Sequence, residues 1–191
     1  RNIPADGTER PSISSLLVYA EPGDGVFHHA AITTDGDVYT PYSEVQFAAR
    51  GVDSAGGAAP LPDNLIWKLA DEKYGTIDEN GKFISNGTEG KVNVYLQDAN
   101  GRKVGEGSVE IRTPDEINFR SDEFSLGFNE TTDFGIRVTY QKRIVNIKDG
   151  DIIWEYDERL GVFENNIFTS NPDESVSGTI QATIANTNIS P

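Results

Sequence analysis

The sequence predicts an all-β protein made of two consecutive copies of one β-sandwich unit. Two features carry this prediction: an internal repeat, and short segments in which apolar and polar residues alternate. The alternation has the two-residue period of a strand, and no segment of helix length shows a sustained 3.6-residue period. Turn-forming residues separate the short segments, which is typical of hairpins.

The internal repeat pairs the segment NLIWKLADEKYGTIDENGKFIS with the later segment DIIWEYDERLGVFENNIFTS. Five landmarks recur in the same order at offsets of 85 to 88 residues: Phe47 and Phe134, Trp67 and Trp154, Gly75 and Gly161, Phe83 and Phe168, and Gly90 and Gly178. A nearly constant offset over five landmarks indicates two copies of one unit.

Alternation within the copies predicts the strands. In LIWKL, Leu65, Trp67 and Leu69 share one face, as Val92 and Val94 do in KVNVYL. Turns rich in Asn, Asp and Gly lie between such segments: DENGK at 78–82, DANGR at 98–102, KDGD at 148–151 and ENN at 164–166. An Asn-Gly pair predicts a type I′ turn, whose two central residues have positive φ. The predicted fold is therefore two tandem immunoglobulin-like β-sandwiches.

Composition excludes several functions. The 191 residues include 31 acidic and 16 basic side chains, and this net charge of −15 disfavours nucleic-acid binding. The absence of cysteine removes disulfides, thiolate nucleophiles and cysteine metal ligands. No apolar run reaches the roughly 18 residues of a membrane span. The absence of methionine leads us to expect a processed or excised piece of a longer protein.

The first copy carries the motif W-x-L-x-D-x-x-x-G-T-I-D-x-N-G-x-F, followed by G-x-V-x-V. This pattern resembles the bacterial immunoglobulin-like domain, group 2; the second copy departs from it, with Glu-Asn-Asn at 164–166 in place of Asp-x-Asn-Gly. The resemblance implies domains at 13–113 and 114–191. The segment 21–44 has no clear counterpart before Phe134 in the second copy, which indicates an insertion in the first. The resemblance also implies a spacer, adhesion or carbohydrate-contact module, secreted or on the cell surface or wall of a Gram-positive bacterium.

The opening stretch RNIPADGTERPSISSLLVYA is similar to the end of the phosphodiester glycosidase domain. The shared pattern is N-x-P-A-D-G-T-E-R followed by Leu-Leu-Val, with Ala5 where that family commonly has serine. The resemblance implies that residues 1–12 are the tail of an upstream catalytic domain. It makes Asp6 and Arg10 remnants near a sugar-phosphate site, without the Asp-Gly-Gly-Gly-Ser core that catalysis in that family needs.

The segment 21–44 is the first candidate for ligand contact, because it holds Phe27, His28, Tyr39 and Tyr42 among small and acidic residues. Exposed aromatic rings on a loop suit carbohydrate contact. The alternative is an extra hairpin whose aromatic side chains cover an edge of the sandwich. We favour this structural interpretation because sheet edges need protection.

Acidic turns suggest calcium, with Asp35, Asp37, Asp149 and Asp151 as candidate ligands. None of these turns matches the spacing of a calcium loop. Aspartate is also a common turn residue because it bonds its own backbone, so ordinary turn chemistry is the favoured interpretation.

Histidine and tryptophan also have structural explanations that we favour over ligand binding. His28 and His29 are adjacent, and neighbours in a strand point to opposite faces, which disfavours a shared zinc ion. Trp67 and Trp154 hold matching places within alternating strands, where a sandwich needs a large core side chain.

We therefore expect a non-catalytic accessory or spacer region of a secreted multimodular bacterial protein. The expected partners are an upstream phosphodiester glycosidase domain of the same polypeptide and cell-wall or extracellular polysaccharide, with calcium as the one candidate cofactor. Two alternatives stay open: a carbohydrate-binding module in its own right, and a calcium-stabilised surface-layer or adhesin segment.

Overall fold

The computed structural model describes residues 23–185. Within this range the regular elements are eighteen strands and three single-turn 3-10 helices, at Glu72–Tyr74, Asp149–Asp151 and Glu158–Leu160. The prediction of an all-β fold is confirmed. No helix among these residues is long and apolar enough to span a lipid bilayer.

The first half, residues 23–113, holds ten strands. They are β1 (His29–Thr33), β2 (Val38–Tyr39), β3 (Glu44–Gln46), β4 (Ala48–Val52), β5 (Ala58–Ala59), β6 (Ile66–Leu69), β7 (Gly75–Ile77), β8 (Lys82–Ser85), β9 (Gly90–Gln97) and β10 (Lys103–Ile111). Their sheets have the orders β1-β4-β5, β3-β8-β7 and β2-β10-β9-β6. Every pairing in the first half is antiparallel except that of β2 with β10, which is parallel.

The second half, residues 114–185, holds eight described strands. They are β11 (Glu116–Asn118), β12 (Thr131–Asp133), β13 (Arg137–Tyr140), β14 (Arg143–Ile144), β15 (Ile152–Tyr156), β16 (Gly161–Glu164), β17 (Ile167–Ser170) and β18 (Ile180–Ile184). Their sheets have the orders β11-β13-β14, β12-β17-β16 and β15-β18.

The two halves repeat one topology. Strand β1 and strands β3 to β9 recur, in order and with the same pairings, as β11 to β18. Strand β1 lies inside the segment 21–44 and has a counterpart in β11, whereas β2 and β10 have none among the described residues of the second half. The domain boundaries at 13–113 and 114–191 stay a prediction.

The core of the first half lies between a four-stranded and a three-stranded sheet, the arrangement of an immunoglobulin-like sandwich. Both sheets contribute buried side chains to it: Tyr39, Val45, Phe47, Phe83, Val92, Val94, Val109 and Ile111. Their alternation along each strand follows from the pleat, which turns every second side chain inward. The predicted inward face of Val92 and Val94 is confirmed.

The connection from β6 to β7 in the first half is the same as that from β15 to β16 in the second. Asp71 and Asp157 each cap a 3-10 helix, because the carboxylate accepts the backbone N–H two residues further on at 3.0 Å. Asn86 and Asn171 close the same turn through their side-chain amides, which donate to a carbonyl of that helix at 2.8 and 3.0 Å. These polar contacts recur at the offset of the repeat.

The predicted type I′ geometry occurs in the second half but not at the Asn-Gly pairs. At 78–81 only Gly81 has positive φ, and the carboxylate of Asp78 accepts the N–H groups of Asn80 and Lys82 at 2.9 and 2.8 Å. The two central residues, Glu79 and Asn80, therefore have negative φ, as in a type I turn. The type I′ prediction was wrong at this turn. The turn at 165–166 has φ of 48° and 65° at its two asparagines, as type I′ requires.

Candidate functional site at the junction of the two halves

Strand β2 joins the two halves through backbone hydrogen bonds on both of its edges. On one edge, the N–H groups of Glu110 and Arg112 in the first half donate to Asp37 and Tyr39 at 2.8 and 2.9 Å. On the other, Asn146 of the second half donates to the carbonyl of Val38 at 2.7 Å. Backbone pairing therefore runs without a break from one half to the other.

The two side chains of β2 enter different cores. Val38, with an exposed fraction of 1%, belongs to a cluster of the second half that contains Ile117, Val138, Val145 and Ile184. Tyr39 belongs to the core of the first half. Since successive side chains of a strand point to opposite faces, a two-residue strand is enough to serve both cores.

Charged pairs cross the same junction. Arg143 donates to Glu110 at 2.6 Å, and Lys148 lies 3.0 Å from Glu44. The hydrogen bond from Arg143 lowers the pKa of Glu110, with a further contribution from Arg112. Hydrogen bonds from Lys82 and then Lys148 lower the pKa of Glu44. Both carboxyls are therefore held in the ionised form by the folded chain.

A polar hollow of about 290 Å³ opens beside this junction. It is lined by Asp35, Tyr39, Ser43, Glu44, Asn146, Ile147 and Lys148. The Tyr39 hydroxyl donates to the Asp35 carboxylate, and burial, followed by this hydrogen bond, raises the pKa of Tyr39. Within the described part of the chain, no three side chains of the His, Cys, Asp and Glu types group together as a metal site would require.

Three of the four candidate calcium ligands accept hydrogen bonds from other groups of the protein. The Asp35 carboxylate accepts the Tyr39 hydroxyl, Asp37 accepts a strand hydrogen bond through its carbonyl, and the Asp151 carboxylate accepts the backbone N–H of Lys148 at 3.0 Å. The side chain of Asp149 lies outside the described part of the structure. Calcium binding stays a prediction.

The four candidate carbohydrate contacts do not form one exposed row. Tyr39 is buried, Phe27 is half-buried against a small cluster at the end of the first sandwich, and His28 is exposed. Tyr42 has an exposed fraction of 60% and a positive φ of 65°, and its ring covers Gly87. The candidate glycosidase residues Asp6 and Arg10 lie outside the described residues.

The histidines do not point to opposite faces, contrary to the expectation from strand alternation. The Nδ1 atoms of His28 and His29 lie 3.3 Å apart, and both side chains are exposed. The physical reason is that β1 begins at His29, so His28 precedes the pleat that would separate the two rings.

Both tryptophans are half-buried and pack against other rings of their own half. Trp67 packs against the first core and against Phe47, with ring centroids 6.2 Å apart. Trp154 stacks on Phe163 with centroids 4.0 Å apart, and its indole N–H donates to the side chain of Asn166 at 3.0 Å.

No family model and no curated protein matches the sequence. Among solved structures, the chain is similar to an intimin mutant of EHEC O157:H7, at 15% identity over 49% of this chain and 54% of that one, with a TM-score of 0.33. It is also similar to the S-layer protein rSbsC(31-844), at 12% identity over 86% and 27% of the two chains and a TM-score of 0.31. Murine CEACAM1b gives 14% identity over 82% and 92%, with a TM-score of 0.29.

The chain thus spans about half the length of the intimin structure. TM-scores of this size carry no information about function. The two family resemblances, to the bacterial immunoglobulin-like domain and to the glycosidase tail, stay predictions.

Proposed function

We propose that this chain is a non-catalytic, rigid spacer of an extracellular multimodular protein, which holds neighbouring modules at a fixed distance and orientation. The observation that carries the proposal is strand β2. It is hydrogen-bonded to β10 of the first half and to Asn146 of the second, and its two side chains enter both cores.

The junction supports rigidity because of what a movement would break. Domains joined by a simple linker move relative to each other by default. Here a hinge motion would break the hydrogen bond from Asn146 to Val38 and withdraw the Val38 side chain from the second core. It would also separate Arg143 from Glu110. The net charge of −15 keeps such a module soluble.

Each half contains one tryptophan, which makes the coupling measurable. In Trp154→Phe the fluorescence reports on the first half, and in Trp67→Phe it reports on the second. Urea unfolding of each variant is followed by tryptophan fluorescence, and circular dichroism measures the stability that the substitution itself removes. After correction for that loss, we expect the two variants to have the same urea midpoint. Val38→Asp should give the two halves different urea midpoints, because it buries a charge in the apolar cluster of the second half.

The matched control is Val162→Asp, a valine of a second-half strand with an exposed fraction of 54%. This substitution should leave the two midpoints together. Two separate transitions in the otherwise unchanged chain would contradict the rigid spacer and favour a flexible one.

The finer parts of the proposal rest on the sequence resemblances. They are a location on the surface or wall of a Gram-positive bacterium, an upstream phosphodiester glycosidase and contact with polysaccharide. Among the candidate contacts, Tyr42 and His28 are exposed and so available to a sugar ring. A carbohydrate-binding module, or a calcium-stabilised surface-layer or adhesin segment, remains the alternative function.

A further inference from the structure

The chain contains three Asn-Gly pairs, at 80–81, 86–87 and 100–101. Asparagine is one of the thermolabile residues of proteins. We propose that Asn100 is a site of spontaneous deamidation in the folded chain, and that the fold protects Asn80 and Asn86 from the same reaction. This modification is separate from the proposed spacer function and does not depend on it.

The reaction needs the asparagine, the peptide group that follows it, and water. The backbone nitrogen of the next residue loses its proton and attacks Cγ of the asparagine side chain, so that a C–N bond forms. The bond from Cγ to Nδ2 breaks, and ammonia leaves with the proton. Water then opens the five-membered succinimide at either carbonyl, which gives aspartate or isoaspartate. A following glycine leaves the attack unhindered because it has no Cβ.

The turns at 78–82 and 98–102 have the same internal hydrogen bonds. In each, the aspartate carboxylate accepts the N–H groups of the asparagine and of the basic residue after glycine, at 2.9 and 2.8 Å in the first turn and 3.0 and 2.8 Å in the second. The glycine N–H donates to the carbonyl of the same aspartate at 3.2 and 3.0 Å. Local geometry alone therefore predicts similar rates at Asn80 and Asn100.

Contacts from a distant strand distinguish the first turn from the second. The side-chain nitrogen of Gln46 donates to the carbonyl of Asn80 at 2.8 Å, and the N–H of Phe47 donates to the carbonyl of Gly81 at 2.9 Å. Gly81, whose nitrogen would make the attack, is buried. The peptide group between Asn80 and Gly81 must rotate before its nitrogen can reach Cγ, and these contacts oppose that rotation.

The second turn is held by its own neighbours. Among the described residues, its hydrogen bonds come from positions 97–102, including one from the side chain of Gln97 to the carbonyl of Gly101 at 2.7 Å. Asn100 and Gly101 are both exposed. A turn at the end of a hairpin opens locally without breaking the rest of the sheet. The nitrogen of Gly101 is therefore released more often than that of Gly81.

Asn86 is protected through its own side chain. Its amide nitrogen donates to the carbonyl of Lys73 at 2.8 Å, and its Oδ1 accepts the N–H of Thr88 at 3.0 Å. The attacking nitrogen of Gly87 donates to the hydroxyl of Ser85 at 3.2 Å. Attack on Cγ requires the amide to turn, which breaks both of its hydrogen bonds.

Incubation of the full chain at slightly alkaline pH, followed by peptide mapping with mass spectrometry, measures deamidation at the three sites in one sample. We expect Asn100 to react at least about tenfold faster than Asn80 and Asn86, because a small difference in the free energy of local opening gives a ratio of this size. The proposal is overturned if either of the other two asparagines reacts as fast as Asn100 or faster.

Unfolding separates the effect of the fold from that of the neighbouring residues. In urea that unfolds the chain, the three asparagines should react at rates within about threefold of one another, since the protecting contacts are lost. An advantage of Asn100 that persists unchanged in the unfolded chain would assign the rate to sequence rather than to the fold, and would overturn the proposal.

Gln46→Ala tests the anchor of the first turn. Gln46 is exposed, so circular dichroism should show unchanged folding. We expect deamidation at Asn80 to become at least about threefold faster, with Asn100 unchanged as the internal reference. The matched control is Gln97→Ala, which removes a glutamine hydrogen bond from the other turn and should leave the rate at Asn80 as it was. An unaltered rate at Asn80 in Gln46→Ala would contradict protection by the distant strand.

Discussion

The two halves surround the same tryptophan position in different ways. In the first half, Gly81 has φ of 80°, and a Cβ there would lie 2.6 Å from the carbonyl oxygen of Phe47 and 2.8 Å from the ring of Trp67. In the second half, Asn166 has φ of 65°, and its side chain accepts the indole N–H of Trp154. The unit thus retains the half-buried tryptophan while the adjoining turn varies.

The cores differ as well. Aliphatic side chains dominate the first, with Phe47 and Trp67 as one aromatic pair. The second half contains a cluster of rings in mutual contact: Phe119, Phe124, Phe134, Trp154, Tyr156, Phe163 and Phe168. Phe134 holds the place of Phe47 in the repeat and contacts five of the other rings. One topology therefore accommodates two kinds of core.

The largest expected effect comes from removing these equivalent rings. Both side chains are buried, and a Phe→Ala change in a core costs about 3–5 kcal/mol of unfolding free energy. We expect Phe134→Ala at the upper end of this range and Phe47→Ala at the lower end, because aromatic pairs add to the burial energy. Urea unfolding measures both. Equal losses would show that the aromatic cluster adds nothing beyond burial.

Exchanging the turn residues Gly81 and Asn166 should lower the unfolding free energy by less than removing the rings. The loss should be larger at Gly81 than at Asn166. Gly81→Asn places a Cβ against Phe47 and Trp67, so we expect a loss of about 1–3 kcal/mol. Asn166→Gly removes the hydrogen bond to Trp154, at a cost of about 1 kcal/mol that glycine's ease at positive φ partly offsets. Thermal unfolding of the two variants compares them. A larger loss in Asn166→Gly would mean that the indole hydrogen bond dominates.

The smallest effect concerns the charged pairs between the halves. Glu44 and Glu110 have a lower pKa in the folded chain than their ordinary value of 4.5. A carboxyl with a lowered pKa stabilises the fold above its ordinary pKa, and this stabilisation is lost as the pH falls through the folded value. We therefore expect the unfolding free energy to fall as the pH drops below 4.5. Glu110→Gln should lower stability slightly at neutral pH and weaken this pH dependence.

Unfolding in urea at several pH values from neutral downward measures this effect. Glu106→Gln serves as the control, because Glu106 is paired with Lys103 on the surface of the first half alone. A pH dependence that is the same in Glu110→Gln and in the unchanged chain would exclude Glu110 as its source.

The repeat and the alternation predicted most of the shared strands, because each depends on local pattern. The capping residues Asp71 and Asp157, and the turn residues Asn86 and Asn171, could also have been found, since they keep the repeat offset. Strand β2 could not, because two residues have no measurable period and its partners lie far along the chain. The convergence of His28 and His29 depended on where β1 begins.

The sequence by itself determined the β class, the duplication and the inward side chains, since period and spacing act within one strand or one turn. The tertiary structure decided where Val38 is buried, how Asn146 joins the halves and which rings form the second cluster. These contacts depend on the packing of distant segments, and a segment's own composition does not specify its partner. The candidate junction was therefore visible only once both halves were folded against the same strand.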